Sequence, residues 1–235
     1  ETGVITLSLQ LLKNWGIYMD HVISGVAKFQ KEVYPNKKAT FQKLANGQNP
    51  EVLFITCSDS RIDPNLVTQT DPGELFICRN AGNIVPPHSN QTGGMTASIE
   101  FAVAALGVSH IVVCGHTDCG AMKGAINPAG LDSLPHVKEW LGHCRVATDV
   151  VKERCGHDEL SIDDLEAVTK ENVVQQIQHL RTHPAVAAKI ATGQVKLHGW
   201  VYNIGTGEVL YYNTESGEFD VMDESTAEAQ LARSE

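Results

Sequence analysis

Two short apolar runs along the chain each end in a burst of polar residues. Val52-Leu53-Phe54-Ile55-Thr56 leads into Cys57-Ser58-Asp59-Ser60-Arg61, and Ile111-Val112-Val113-Cys114 leads into Gly115-His116-Thr117-Asp118-Cys119-Gly120. Unbroken apolar runs of this kind read as strands buried on both faces. In an open α/β sheet the C-terminal ends of such strands are where ligands bind. Between and around them the period changes. Val22, Val26, Phe29 and Val33 recur at helical spacing and predict a helix to Tyr34 that Pro35 ends. A shorter helix is expected over 40–45, and Asp63-Pro64 starts another. Residues 74–79 read as a second short strand, entered from the turn Asp71-Pro72-Gly73.

The stretch 96–106 is a helix with little polar surface, expected to be buried, in part against another subunit. Helices follow at 120–126, from Leu134-Pro135 to about Cys155, over 161–182 (apolar at Ile162, Leu165, Val168, Val173, Ile177 and Leu180), and over 184–192. Val195–Asn203 and Glu208–Asn213 flank Gly205-Thr206-Gly207, a hairpin signal. Strands alternating with helices predict an α/β fold with a mostly parallel sheet, flanked by helices and closed by this hairpin. Three segments are expected: an arm over 1–21, one domain over 22–213, and an acidic tail over 214–235 that is mobile or wrapped on a surface.

Composition narrows the partners. With 18 Lys and Arg against 28 Asp and Glu, the formal charge of −10 argues against nucleic acid or an anionic membrane. No apolar run is long enough to span a bilayer, and no signal-peptide order is visible near the start. The chain opens on Glu1, which reads as a processed or engineered start; the compartment expected is cytoplasm or an organelle stroma or matrix. The six cysteines are too sparse for a disulfide scaffold. Cys78, Cys114, Cys144 and Cys155 are expected to be buried small hydrophobes.

Cys57, His116 and Cys119 differ from those four in position. If the two strands are neighbours, two thiolates and one imidazole converge at one sheet edge, a ligand set suited to Zn²⁺ with a fourth position left for water. The alternative is two core thiols and a histidine in a structural hydrogen bond. Asp59 and Arg61 lie just beyond Cys57. A carboxylate there can accept a hydrogen bond from a zinc-bound hydroxide, turning a lone pair toward substrate, and Arg61 can hold it in a bidentate pair; the alternative is an ordinary surface ion pair. Zinc lowers the pKa of bound water to about 7, which suits attack on a small electrophilic carbon such as CO₂.

Five motifs in order resemble the β-class carbonic anhydrases: Cys57-Ser58-Asp59-Ser60-Arg61, Arg79-Asn80, Val85-Pro86-Pro87, Ser98-Ile99-Glu100-Phe101-Ala102 and Gly115-His116-x-x-Cys119-Gly120. The resemblance covers about residues 22–212. It implies reversible hydration of CO₂ to bicarbonate and a proton, zinc held by Cys57, His116 and Cys119, and Asp59 with Arg61 as a gating dyad. It also implies a parallel sheet with an antiparallel edge strand, and an obligate homodimer that can assemble into tetramers or octamers.

Gln48, Phe76, Phe101 and Gly120 match substrate-pocket positions of the family. Gln48, together with Phe54 where members with an inhibitory bicarbonate site carry tryptophan, favours a plant-like type that stays open. Plant members often place a proton-shuttling histidine where this chain has Ala105, which leaves proton export to buffer or to His88. Two rival readings share these residues: a carbon disulfide or carbonyl sulfide hydrolase, and a non-catalytic zinc-stabilised scaffold. A purely structural zinc site would normally close with a fourth protein ligand, which speaks against the scaffold.

Overall fold

A computed structural model describes residues 19–156 and 158–232. The chain divides into two compact units, Glu1–Gln48 and Asn49–Glu235. The domain expected to start at residue 22 therefore has its compact boundary at Asn49, and most of the expected arm over 1–21 lies outside the described residues.

In the first unit residues 19–36 are helical (α1), followed by α2 (Lys38–Leu44). Pro35 does not stop α1. The helix widens to a π-helical segment at Phe29–Val33, where the Tyr34 N–H reaches the Phe29 carbonyl, and Pro35 then occupies the first turn of a new α-helical piece, Tyr34–Asn36. Proline is tolerated there because a first-turn N–H needs no intrahelical partner. Phe29, Tyr34 and Phe41 pack ring to ring in this unit.

The second unit is built on β1 (Val52–Cys57), α3 (Pro64–Thr68), β2 (Leu75–Asn80), α4 (Gly94–Glu100), β3 (His110–His116), α5 (Gly120–Ile126), α6 (Pro135–Leu141), α7 (Arg145–Cys155), α8 (Leu165–Thr182), α9 (Pro184–Ala191), β4 (Lys196–Tyr202), β5 (Val209–Asn213), β6 (Glu218–Val221) and α10 (Glu224–Ala232). The strand order is β2-β1-β3-β4-β5-β6. The first four strands are parallel, and β5 and β6 are antiparallel at one edge. This is the mixed α/β sheet expected. The surprise is β6, which lies in the segment expected to be an acidic tail. Its pairing sets the rings of Tyr212 and Phe219 at a tilt with centroids 5.3 Å apart, a cross-strand contact that helps an acidic segment pair as a strand.

β1 and β3 are buried along almost their whole length, as unbroken apolar runs require. Leu53, Ile55, Ile111 and Val113 share one core with Val173, Ile177 and Leu180 of α8. Phe54, Val112 and Cys114 pack with Ile62 and Trp200 in another. Gly199 is needed where α8 crosses β4: a Cβ there would lie 2.8 Å from Ile177 Cδ1 and 2.9 Å from Val173 Cγ1. Past Glu100, α4 continues in π-helical form over Phe101–Leu106. It buries Ile99, Ala102 and Val103 but leaves Ala97, Phe101, Ala104 and Ala105 outward, so only half of the burial expected for it occurs within one chain. Cys78, Cys114 and Cys144 are buried as expected, whereas Cys155 is exposed because it ends α7 just before Gly156 turns the chain.

Candidate metal centre

The register of the sheet builds the site. β1 and β3 pair in parallel with Thr56 opposite Cys114, which brings the end of β1 at Cys57 beside the end of β3 at His116. A turn then carries Asp118 through the left-handed region (φ 58°) and drops Cys119 at the start of α5. The ligand atoms of Cys57, His116 and Cys119 all lie within 4.8 Å of one another. The two sulfurs are 4.0 Å apart. Two thiolates on one tetrahedral ion at about 2.3 Å each would stand about 3.8 Å apart, so the spacing fits such an ion.

His116 is fully buried. Its Nδ1 donates to the Thr117 carbonyl at 2.9 Å, which leaves Nε2 as the acceptor. Nε2 has no hydrogen-bond partner among the described residues. A buried ring nitrogen left unpaired, beside two buried sulfurs, is the donor set of a metal site. The Cys57 thiol is pulled down to about 4, first by the hydrogen bond with Cys119 and then, against its burial, by His116 and the Gly82 N–H. Cys119 moves up, first because its S–H is held as the donor to the Cys57 sulfur, then by burial and the neighbouring negative charge. Metal ligation requires both as thiolates, so binding a cation releases protons.

Asp59 and Arg61 form the pair expected. Arg61 donates from Nε to Asp59 Oδ1 at 2.9 Å and from Nη2 to Oδ2 at 2.7 Å, and its backbone N–H adds a third bond to Oδ1 at 3.0 Å. These bonds hold the Asp59 carboxyl well below the usual carboxylate range. Asp59 Oδ2 lies 3.8 Å from His116 Nε2, so the carboxylate faces the ligand cluster while paired to the guanidinium.

Five contacts around this dyad had no expectation attached. Arg61 Nη1 also donates to Asp118 Oδ2 at 2.9 Å, and Nη2 to the Asp118 carbonyl at 3.1 Å; Lys123 of α5 pairs with the same carboxylate. Asp118 occupied an unassigned position of the His-x-x-Cys motif, and only its location between two ligands hinted at a role. Arg79, at the end of β2, donates to the Cys57 carbonyl at 3.0 Å and to the Asp59 carbonyl at 2.7 Å, which braces the ligand turn from the neighbouring strand.

The pocket residues are dispersed. Gly120 opens α5 next to Cys119, and a Cβ added there would meet nothing within 4 Å, so the chain leaves that side open. Phe76 and Phe101 are together, with ring centroids 6.0 Å apart, but away from the ligand edge. Phe76 sits opposite Leu53, four strand positions before Cys57; at about 3.3 Å per residue that is about 13 Å. Gln48 is the exposed last residue of the first unit. His88 is exposed, with its ring against that of His183 at 5.7 Å.

Comparison with known proteins gives consistent results. A family model described as carbonic anhydrase matches residues 52–209. A carbonic anhydrase from Pseudomonas aeruginosa is 48% identical over 192 residues, 81% of this chain and 86% of that one. Among solved structures, the β-carbonic anhydrase CcaA matches with a TM-score of 0.83 at 41% identity, covering 87% of this chain and 99% of that one. A tetrameric β-carbonic anhydrase from the filamentous ascomycete Sordaria macrospora matches with a TM-score of 0.65 at 30% identity, covering 85% and 96%.

Proposed function

The chain belongs to the β class of the carbonic anhydrase family, and from that premise we propose that it interconverts CO₂ and bicarbonate at a zinc ion held by Cys57, His116 and Cys119. The observation that carries the metal assignment is the unpaired, fully buried His116 Nε2 beside two buried sulfurs. A zinc ion supplies Lewis acidity there, bringing the ionisation of water down to about pH 7.

The chain's own residues do the rest. Asp59 stays ionised because Arg61 saturates it, so it serves as a fixed acceptor and takes no proton to keep. Its Oδ2, turned toward the ligand cluster, would accept a hydrogen bond from the O–H of the attacking oxygen and so direct a lone pair toward CO₂. Arg61, held in turn by Asp118, would keep Asp59 off a bound metal, which supports the plant-like, open reading. The product is bicarbonate, and the proton from water passes to buffer, which balances CO₂ and H₂O against HCO₃⁻ and H⁺.

Gln48, Phe76, Phe101 and Gly120 are proposed to contact the substrate, with the Gln48 amide donating to bicarbonate. Phe76 stands about 13 Å along the sheet from its own chain's ligand edge, with Phe101 packed against it, so in that role they serve the centre of a second copy. A homodimer, at least, follows from this reading. It is supported by the outward apolar face of α4, where Phe101 is 48% exposed, and by the tetrameric relative.

The test is stopped-flow CO₂ hydration from about pH 6.5 to about pH 9 on protein of measured zinc content. Activity rising through that range with one zinc per chain is expected. Full zinc with activity only above about pH 8 would mean that Asp59 closes the site. Full zinc with no CO₂ hydration, but sulfide released from carbon disulfide, would overturn the substrate.

A further inference from the structure

α8 is buried on most of its circumference, yet it carries a stripe of polar side chains into the core. Asn172 is 1% exposed and Gln176 0%. With His179 they fall at i, i+4 and i+7, on one face of the helix. Buried amides are tolerated only when every donor and acceptor is paired, and here the partners lie on the loop that follows β2. Asn172 Nδ2 donates to the Gly82 carbonyl at 3.1 Å, and Gln176 Nε2 donates to Asn172 Oδ1 at 2.9 Å. The Val85 N–H donates to Gln176 Oε1 at 2.8 Å. His179 Nδ1 faces two acceptors, the Val85 carbonyl at 2.7 Å and Gln176 Oε1 at 3.1 Å, so it carries the proton, and Nε2 accepts from the Gln175 amide.

The loop held this way begins with a residue that touches a proposed metal ligand. The Gly82 N–H lies 3.4 Å from Cys57 Sγ and donates to it. Gly82 has φ +83°, and a Cβ on it would sit 3.0 Å from both Ala121 Cβ and Met122 Cε, so its peptide has little freedom toward α5. On the other side it depends on Asn172. The chain of contacts therefore runs from the centre of α8 through Asn172 and Gly82 to the sulfur of Cys57.

We propose that Asn172, locked by Gln176, is a positioning residue that aims the Gly82 N–H at Cys57 Sγ and so sets how firmly that sulfur holds the metal. The proposal rests on the zinc reading of the site. An N–H on a thiolate disperses its charge and fixes its direction, and partners of this kind beyond the ligands are worth about 10–100-fold in metal affinity when removed.

The test compares zinc-loaded wild type with Asn172→Ala, Gln176→Glu and Ile177→Ala. Ile177 lies on the same helix in the apolar core, packed toward Gly199 of β4, and serves as a control for lost packing. Asn80 closes the loop independently, donating to the Ile84 carbonyl at 2.8 Å and accepting from the Ile84 N–H at 2.7 Å, so Asn172→Ala retains one clamp. Gln176→Glu acts without a cavity. The Val85 N–H and His179 Nδ1–H aimed at Oε1 favour the ionised carboxylate there, which only accepts and turns the Asn172 amide so that its oxygen opposes the Gly82 carbonyl.

Release of zinc to a chromophoric chelator and the thiolate-to-metal absorption of the cobalt-substituted protein are the readouts. Expected for both amide variants is release about 10–100-fold faster, with the cobalt band moved to longer wavelength as the sulfur loses its donor. Ile177→Ala should leave both unchanged. Should Asn172→Ala fail to fold, Gln176→Glu decides alone. Amide variants with wild-type release and spectrum, or an Ile177→Ala variant that moves both as far, would overturn the proposal while leaving the zinc site standing. Wild-type protein that holds no zinc would overturn both.

Discussion

His198 lies on β4 with its Nε2 2.9 Å from Nδ1 of His110 on β3, at the end of the sheet away from the ligands. Burial, then His110 and Lys196, lower its pKa from 6.5 to about 4. The sign follows from linkage. Between those two values the unfolded chain binds a proton that the folded chain refuses, so the folded state is favoured in full above about pH 6.5 and loses that advantage as the pH falls toward 4. A shift of about 2.5 pH units corresponds to about 3 kcal/mol, of which about 2 kcal/mol disappears between pH 7 and pH 5. Against a total stability of about 5–15 kcal/mol that is a large share.

His110 shifts in the same direction, chiefly from burial, with Lys196 lowering it further and Glu51 opposing. The ligand edge is remote: His110 precedes His116 by six positions on β3, about 20 Å at 3.3 Å per residue. Urea denaturation of wild type and His198→Gln at both pH values measures the effect. Metal loss and the remaining histidines enter both proteins alike. The variant should lose about 2 kcal/mol less than wild type on acidification. Equal losses would refute the reasoning.

Two further outcomes bear on the site. Asp59→Asn should lower CO₂ hydration by about 10²-fold or more with unchanged zinc content, because in the proposed mechanism the side chain orients the nucleophile without ligating; metal analysis beside stopped flow checks it. Gly82→Ala should destabilise the protein by about 2–4 kcal/mol, combining a left-handed backbone with contacts against Ala121 and Met122, and the urea midpoint of the loaded protein reports it.

Much of the fold was legible because its signals are local. The runs at 52–57 and 110–116 are too short and too β-branched for anything but buried strands, and each ends in the residues that form the cluster. The elements misjudged depend on context. Pro35 stops a helix in isolation, but a π-helical segment placed before it removes the conflict. β6 has few apolar residues of its own and forms because β5 offers an open edge. Asn172, Gln176 and His179 look like the solvated side of an amphipathic helix, since polarity in a sequence does not reveal whether a loop's backbone will need it. Asp118 pairs with Arg61 across 57 residues, a contact no local pattern encodes.

The parallel pairing of β1 with β3 also constrains when the ion can be acquired. Cys57 and Cys119 are 62 residues apart, and β2 and α4 lie between them in the chain. Bringing them together in an unfolded chain costs about 3–4 kcal/mol of loop-closure entropy. During synthesis Cys57 leaves the ribosome long before His116 and Cys119, and until β1 and β3 meet no three donors share a sphere. On the zinc reading, most of that closure is met by the strand pairing of β1 with β3 and not by the ion alone, unlike a zinc finger, whose core is too small to fold without its metal. A bound ion at this place would report that β1 and β3, neighbours in the sheet but separated in the chain by β2 and α4, have found each other.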